Sequence, residues 1–329
     1  GSTLLYATFL GGSGVDAIQG ICVNRVGEPI ISGQTGSPDL PVTPGAFDPT
    51  FNSQVPNASD CYVGRLSSDG SSLIFLTYLG GSEFDVSYEP SLDLAGNIYG
   101  PGLTHSENFP TTPGAYSTSH SGDADAFVCC FDPSGTTLLA STLLGGSRFE
   151  SARGSGLLTT GDVVICGLTT SPDLPLVAPV QPLFGGVKDG FFARLDPTLS
   201  SLLASTFLGG SMEEIAYDLA VGPGDTTTVV GFTDSLDLPV TPGAFDTTFN
   251  GLRDIMVLRL DAAGTSLIYG LYVGGSNFDV ASTVVVDRGG SAIVAGSSFS
   301  GDWPVTYGSY DPYFNSAAFS GSDGVVFRL

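Results

Sequence analysis

The chain has 329 residues, including 46 Gly and 21 Pro, and its 33 acidic residues outnumber 10 basic ones for a net charge of −23. That much Gly and Pro excludes a helical bundle, and 42% hydrophobic residues exclude disorder. A surface this acidic repels nucleic-acid phosphate and anionic membrane alike, and no apolar run reaches the roughly 18 residues of a membrane-spanning helix.

In chain order, Gly1-Ser2 reads as a cloning remnant, with no leader peptide visible. Residues 4–10 have strand character and end in the motif LGGS at 10–13. A two-residue gap leads to Asp16, then to a β-rich run at 18–23, a Gly-containing turn and a second run at 29–32. A Pro-rich stretch of the type TxSxDxPxTPGAF follows. Asp60 then opens a third run at 61–66, and a tight turn leads to a fourth at 73–79. LGGS returns at Leu79, Leu144 and Leu208, and VGGS at Val273, giving spacings of 69, 65, 64 and 65 residues from Leu10. Such a period marks a repeat architecture, and four short strands per unit mark a propeller blade.

The expected fold is therefore all-β: one domain over 1–329, a five-bladed β-propeller with four antiparallel strands per blade. The blades are expected at 13–79, 82–144, 147–208 and 211–273, and the last at 276–329 plus 3–10. The chain starts on an orphan fourth strand and stops on an orphan third strand at 325–329. Pairing the two would close the ring and remove its free edges.

The LGGS, TxSxDxP and TPGAF elements resemble those of the SBBP family of bacterial β-propeller repeats, over essentially the whole chain. The family name implies seven blades, against five units here. The resemblance implies the fold and no catalytic residues. It also leans towards a secreted or surface location, as does the sequon Asn57-Ala58-Ser59.

Residues shared by all units read as scaffold. Acids follow each GGS (Asp16, Asp85, Glu150, Glu214, Asp279) and open each third strand (Asp60, Asp125, Asp189, Asp254, Asp323). They are expected to cap turns and to pair with the third-strand arginines Arg65, Arg194, Arg259 and Arg328. A structural Ca²⁺ is the alternative use of these carboxylates. No other cofactor and no metal site is indicated. The five cysteines, Cys22, Cys61, Cys129, Cys130 and Cys166, fall on strand runs without a CxxC pair and read as reduced, buried thiols.

Residues that break the pattern are the candidate site. Four positions after the first acid stand Gly20, Glu89, Gly154, Asp218 and Thr283; the preceding column holds Gln19, Tyr88, Arg153, Tyr217 and Ser282. Both columns belong to the innermost strand, where backbones crowd and Gly is favoured. Glu89 and Asp218 are expected to be buried there with perturbed pKa values, one of them paired with Arg153. The loop position after Thr in TxSxD holds His105 and Asp234 among others. The last unit concentrates aromatics: Phe299, Trp303, Tyr307, Tyr310, Tyr313, Phe314 and Phe319.

Glu89, Asp218, Arg153, Tyr88, Tyr217 and His105 are thus the catalytic candidates. Gln19, Asp234, Ser282, Thr283, Phe299 and Trp303 are the substrate-binding ones. Two functions remain open. One is an asymmetric pocket at the mouth of the central channel that processes a small, largely apolar organic molecule by elimination, dehydration or cyclisation, pericyclic cyclisation included. Acid–base groups or hydrogen bonds would assist that chemistry. The other is a ligand-, glycan- or protein-binding propeller without catalysis.

Overall fold

A computed structural model of the chain describes residues 2–316 and 321–329; Gly1 and residues 317–320, Phe319 among them, lie outside the described residues. The chain is an all-β, five-bladed β-propeller built from antiparallel sheets. The first sheet is β1 (Asp16–Val23), β2 (Pro29–Thr35), β3 (Asp60–Leu66) and β4 (Leu73–Leu79). The second is β5 (Asp85–Ser87), β6 (Ser91–Leu92), β7 (Ile98–Thr104), β8 (Asp125–Phe131) and β9 (Leu138–Leu144). The third is β10 (Glu150–Leu157), β11 (Val163–Thr169), β12 (Asp189–Leu195) and β13 (Leu202–Leu208). The fourth is β14 (Glu214–Val221), β15 (Thr227–Thr233), β16 (Asp254–Leu260) and β17 (Leu267–Val273), and the fifth is β18 (Asp279–Val286), β19 (Ala292–Ser298) and β20 (Asp323–Arg328). No helix is long and apolar enough to cross a membrane among the described residues.

The chain divides into two compact units. One holds Gly1–Val163 with Asp173–Pro175 and Leu195–Leu202; the other holds Val164–Pro172, Leu176–Arg194 and Leu203–Leu329. Within the first unit, Ile30, Val63 and Phe75 of the first sheet interdigitate with Ile98, Phe127 and Phe131 of the second. Within the other, Val230, Val257 and Leu271 pack on Ala281, Val284 and Val294. Each such side chain is worth about 1.5–3 kcal/mol when fully buried. This supplies the driving force that a Gly-rich chain lacks locally.

The repeat residues hold the loops. The TxSxD acid receives both N–H and O–H of the GGS serine: Asp39 from Ser13 at 2.8 and 2.9 Å, Asp237 from Ser211 at 2.8 and 3.0 Å. Asn108 accepts the same two bonds from Ser82, because only an acceptor oxygen is needed. The post-GGS acid caps the loop, as where Gly81 N–H donates to Asp85 Oδ2 at 2.7 Å. The expected pairing of these acids with the third-strand arginines is corrected. Arg65 binds Glu28, and Arg328 binds Asp287 at 2.5 Å, both in first-hairpin turns. The arginine lies at the far end of its strand from the acid that opens it, so it reaches the turn instead.

The closure between residues 4–10 and 325–329 is also corrected. Among the described residues the fifth sheet has three strands, and residues 4–10 form none. Phe9 is fully exposed, whereas its repeat equivalents Tyr78, Phe207 and Tyr272 are buried. Leu10 packs on the core of the first sheet, and Tyr6 covers the β3–β4 turn at Gly70. No ladder fixes its other edge.

Candidate functional site

The innermost strands carry a β-bulge at the positions where the sequence departs from the repeat. In the pairing of β1 with β2 the register shifts between Ile18 and Gly20, in β14 with β15 between Ala216 and Asp218, and in β18 with β19 between Ala281 and Thr283. The extra residues are Gln19, Tyr217 and Ser282, and a bulge re-aims the side chain that it inserts. In the second sheet the same place is a break: β5 stops at Ser87 and β6 begins at Ser91, leaving Tyr88-Glu89-Pro90 outside the ladder. Gly is required opposite this break. A Cβ on Gly20 would lie 2.4 Å from Glu89 Cα and 2.8 Å from Pro90 Cδ.

In the first unit the structure brings Tyr88 and Arg153 together, and sets His105 on the two phenylalanines that share a buried patch with Tyr88. The Arg153 guanidinium carbon stands 5.3 Å from the centre of the Tyr88 ring. Tyr88, Phe84 and Phe149 pack together on buried Val86, Leu103 and Ala124. His105 lies between the two phenylalanines, with ring centres 5.9 Å from Phe84 and 6.1 Å from Phe149. All three candidate side chains are half-buried. Glu89 corrects the expectation of a buried carboxylate: its residue is exposed. Its backbone takes the crowding instead, packed on Gly20 and accepting a 3.1 Å hydrogen bond from Ser155 Oγ at its carbonyl. Gln19 is exposed as well.

In the other unit Asp218 is 6% exposed, and its carboxylate is occupied. Oδ2 accepts from Thr283 Oγ1 and from Val284 N–H, both at 2.8 Å, and Oδ1 accepts from Leu219 N–H at 2.7 Å. Burial raises its pKa above the usual carboxylate range, against the lowering effect of those bonds. It ties β14 to β18. Thr283 and Ser282 are exposed, and Thr283 serves Asp218. Tyr217 stacks on Phe232 at 5.9 Å.

Asp234 is likewise taken. Arg253 binds it through Nε at 2.7 Å and Nη2 at 2.8 Å, while the guanidinium carbon lies 3.5 Å from the centre of the Phe232 ring. Sequence reasoning left Arg253 without a role. The signal was present in the hairpin register: Thr233 pairs with Asp254, so the next positions outward are 234 and 253. Phe84 and Phe149 were missed because flanking residues of a repeat motif carry no mark of function.

The aromatics of the last blade separate. Trp303, Tyr310, Tyr313 and Phe314 line a cavity of about 790 Å³ along the open edge of β20. Phe299 instead sits by its backbone on Phe278, with N–H to carbonyl at 2.9 Å. Trp303, half-buried, also packs against the core of its sheet, its ring centre 6.0 Å from that of Phe327.

Comparison with protein-family models and with curated protein sequences returned no match. Among solved structures, the chain is similar to a gluconolactonase from Xanthomonas campestris, at 11% identity and a TM-score of 0.40 over 85% of this chain and 69% of that one. A putative gluconolactonase gives 12% and 0.37 over 88% and 87%, and a glucose dehydrogenase 12% and 0.40 over 87% and 80%. At such scores no activity passes from these proteins to this chain.

Proposed function

We propose that this propeller, SBBP-type by its repeat motifs, processes a small, largely apolar organic molecule at the cluster of Tyr88, Arg153 and His105. The reaction class is a hydrogen-bond- or acid–base-assisted elimination, dehydration or cyclisation. The observation that carries this reading is a half-buried cationic and phenolic pair on the same buried patch as a histidine packed on two phenylalanine rings. Apolar walls with a few converging polar groups are the usual make-up of small-molecule sites. Tyr88 donates a hydrogen bond to an oxygen that gains charge, Arg153 stabilises that charge, and His105 transfers the proton. Glu89, at the surface beside them, is a second proton acceptor. Asp218 is assigned to the scaffold, since its oxygens already accept three bonds.

The test is a ligand-observed NMR screen of apolar carbonyl and hydroxyl compounds, with mass spectrometry of mixtures left with the protein to detect loss of water or isomerisation. Tyr88→Phe, Arg153→Gln and His105→Ala should each weaken binding or slow turnover at least tenfold. If hits bind all three variants as they bind the parent, the reading fails.

The second reading, a binding propeller, is favoured by one observation. Tyr307, Tyr310 and Tyr313 of the last blade are 107%, 105% and 76% exposed. Exposed aromatics suit stacking on a glycan or a protein surface. Loss of binding in Tyr310→Ala and Tyr313→Ala, with no effect of Tyr88→Phe, would select it.

A further inference from the structure

Four of the five GGS loops bring two acids together where one blade meets the next. The backbone N–H of each post-GGS acid donates to the carbonyl just before a third-strand acid: Asp85 to Ser59, Glu150 to Ala124, Glu214 to Lys188 and Asp279 to Arg253, at 2.8, 2.9, 2.9 and 2.9 Å. The side chains therefore meet as Asp60 with Asp85, Asp125 with Glu150, Asp189 with Glu214 and Asp254 with Asp279. All eight residues are at most 1% exposed. Each pair closes around the first loop glycine. A Cβ on Gly274 would lie 2.4 Å from Asp254 Oδ1 and 3.0 Å from Asp279 Oδ2; one on Gly145 would lie 2.0 Å from Asp125 Oδ1 and 2.9 Å from Glu150 Oε2.

Oδ1 of Asp125 has no hydrogen-bond partner among the described residues, and Oδ1 of Asp85, Asp254 and Asp279 has none of good geometry, although Thr104, Gly251 and Ser298 stand near those carboxylates. Leaving a charged, buried oxygen unsatisfied is strongly unfavourable. Either a cation or a proton must relieve it. The backbone decides between them. The groups aimed at these acids are hydrogen-bond donors: backbone N–H from Asn250 to Asp254 at 2.8 Å, Gly275 to Asp279 at 2.8 Å, Ser121 to Asp125 at 3.0 Å and Gly146 to Glu150 at 2.7 Å, and the hydroxyls of Ser106, Thr233 and Ser300 to Asp85, Glu214 and Asp279. A metal shell needs oxygen acceptors in those places.

We propose that the junctions of Asp125 with Glu150 and of Asp254 with Asp279 each hold a proton between their two acids, and that losing these protons loosens the junctions as the solution becomes alkaline. The charges facing the pairs reinforce this. Asp48 and Glu83 face the first pair, Asp246 and Asp302 the fourth, and Asp237 faces Asp189. Of the cations nearby, Lys188 is held by Glu213 at 2.8 Å, Arg253 by Asp234 at 2.7 Å, and Arg148 acts on Asp173. Near the second pair, His120 contacts the Thr104 carbonyl at 3.2 Å. Burial, then the neighbouring acid, pushes Asp125 up to about 7, and burial likewise brings Asp254 to about 6. A carboxyl whose pKa is raised on folding binds more protons folded than unfolded between the two pKa values. Its stabilisation is complete below the unfolded range, near pH 4. It is lost as pH climbs through about 6 to 7 for these groups.

Asn is the neutral mimic at 125 and 254. Oδ2 of each Asp accepts the well-formed backbone bond, from Ser121 and from Asn250, so the amide oxygen keeps that bond and its NH₂ turns to the partner acid. The melting temperature of the full chain should fall between pH 5 and pH 8.5. Asp125→Asn with Asp254→Asn should flatten that fall and raise the melting temperature by a few degrees at pH 8.5. Glu107→Gln, an exposed acid, should leave the slope as it is. A rise in melting temperature with pH, an unchanged slope in the double variant, or a large stabilisation by added Ca²⁺ at pH 8.5 would overturn the proposal. If the double variant does not fold, carbon-detected NMR titration of the parent decides. Carboxyl groups still protonated at pH 5.5 are expected, and their absence refutes the proposal.

Discussion

Tyr6 packs directly on Gly70, as Phe75 packs on Gly135: a Cβ added at either glycine would lie 2.2 Å from Cδ2 of the facing ring. The two pairs are one repeat apart. The N-terminal stretch therefore stands beside the first blade as β4 stands beside the second, although it joins no sheet. Both glycines have positive φ, +69° in each case. Gly70→Ala should destabilise by about 1–2 kcal/mol from the backbone alone, with an added steric part. That added part should vanish in a Tyr6→Ala background. A denaturant double-mutant cycle measures it, and strict additivity would show that the ring does not rest there.

Asp218 offers a test of the inner-strand tie. Thr283→Val removes one of its three donors and leaves a buried carboxylate oxygen with Val284 N–H alone. The expected loss is about 1–3 kcal/mol. Thr283→Ser keeps the hydroxyl and should restore most of it. Equal melting temperatures for the Val variant and the parent would mean that the bond contributes nothing.

The cysteines should be unreactive in the folded chain. All five are free thiols. Cys61, Cys129, Cys130 and Cys166 are buried as expected, but Cys22 is only half-buried. Burial nevertheless pushes the Cys22 thiol up to about 12, with Glu89 adding to the effect. At pH 8 almost no thiolate exists to attack a disulfide reagent. Ellman titration should count close to none before denaturation and all five after it. A fast reaction of one thiol in the folded protein would contradict this.

Asp234→Asn should weaken the grip on Arg253, which otherwise makes two bonds to one carboxylate above the Phe232 ring. Charged hydrogen bonds of this kind contribute about 1.5–3 kcal/mol. High salt should reduce the difference between parent and variant only in part, because the pair is half-buried. A difference that disappears in molar salt would mark it as a surface pair.

The repeat period alone located the strands of the first blade. The runs read at 18–23, 29–32, 61–66 and 73–79 coincide with β1 to β4 to within a few residues. Hairpins are local, and their Gly, Pro and Asp boundaries are written in the chain. The crowding that demands Gly20 was legible for the same reason, since a missing side chain can be read as a missing space. A period also says which residues are equivalent, but not which ones touch across blades. Only the packing of neighbouring sheets decided that Glu89 turns outward while its backbone takes the crowding. The same packing decided that Asp218 is spent on Thr283 and Val284, and that acids 25 residues apart, on the third strand of one blade and the first strand of the next, meet in buried pairs, as Asp60 does with Asp85. Burial and dielectric are properties of that assembly, so the protonation of these groups is written in no single strand.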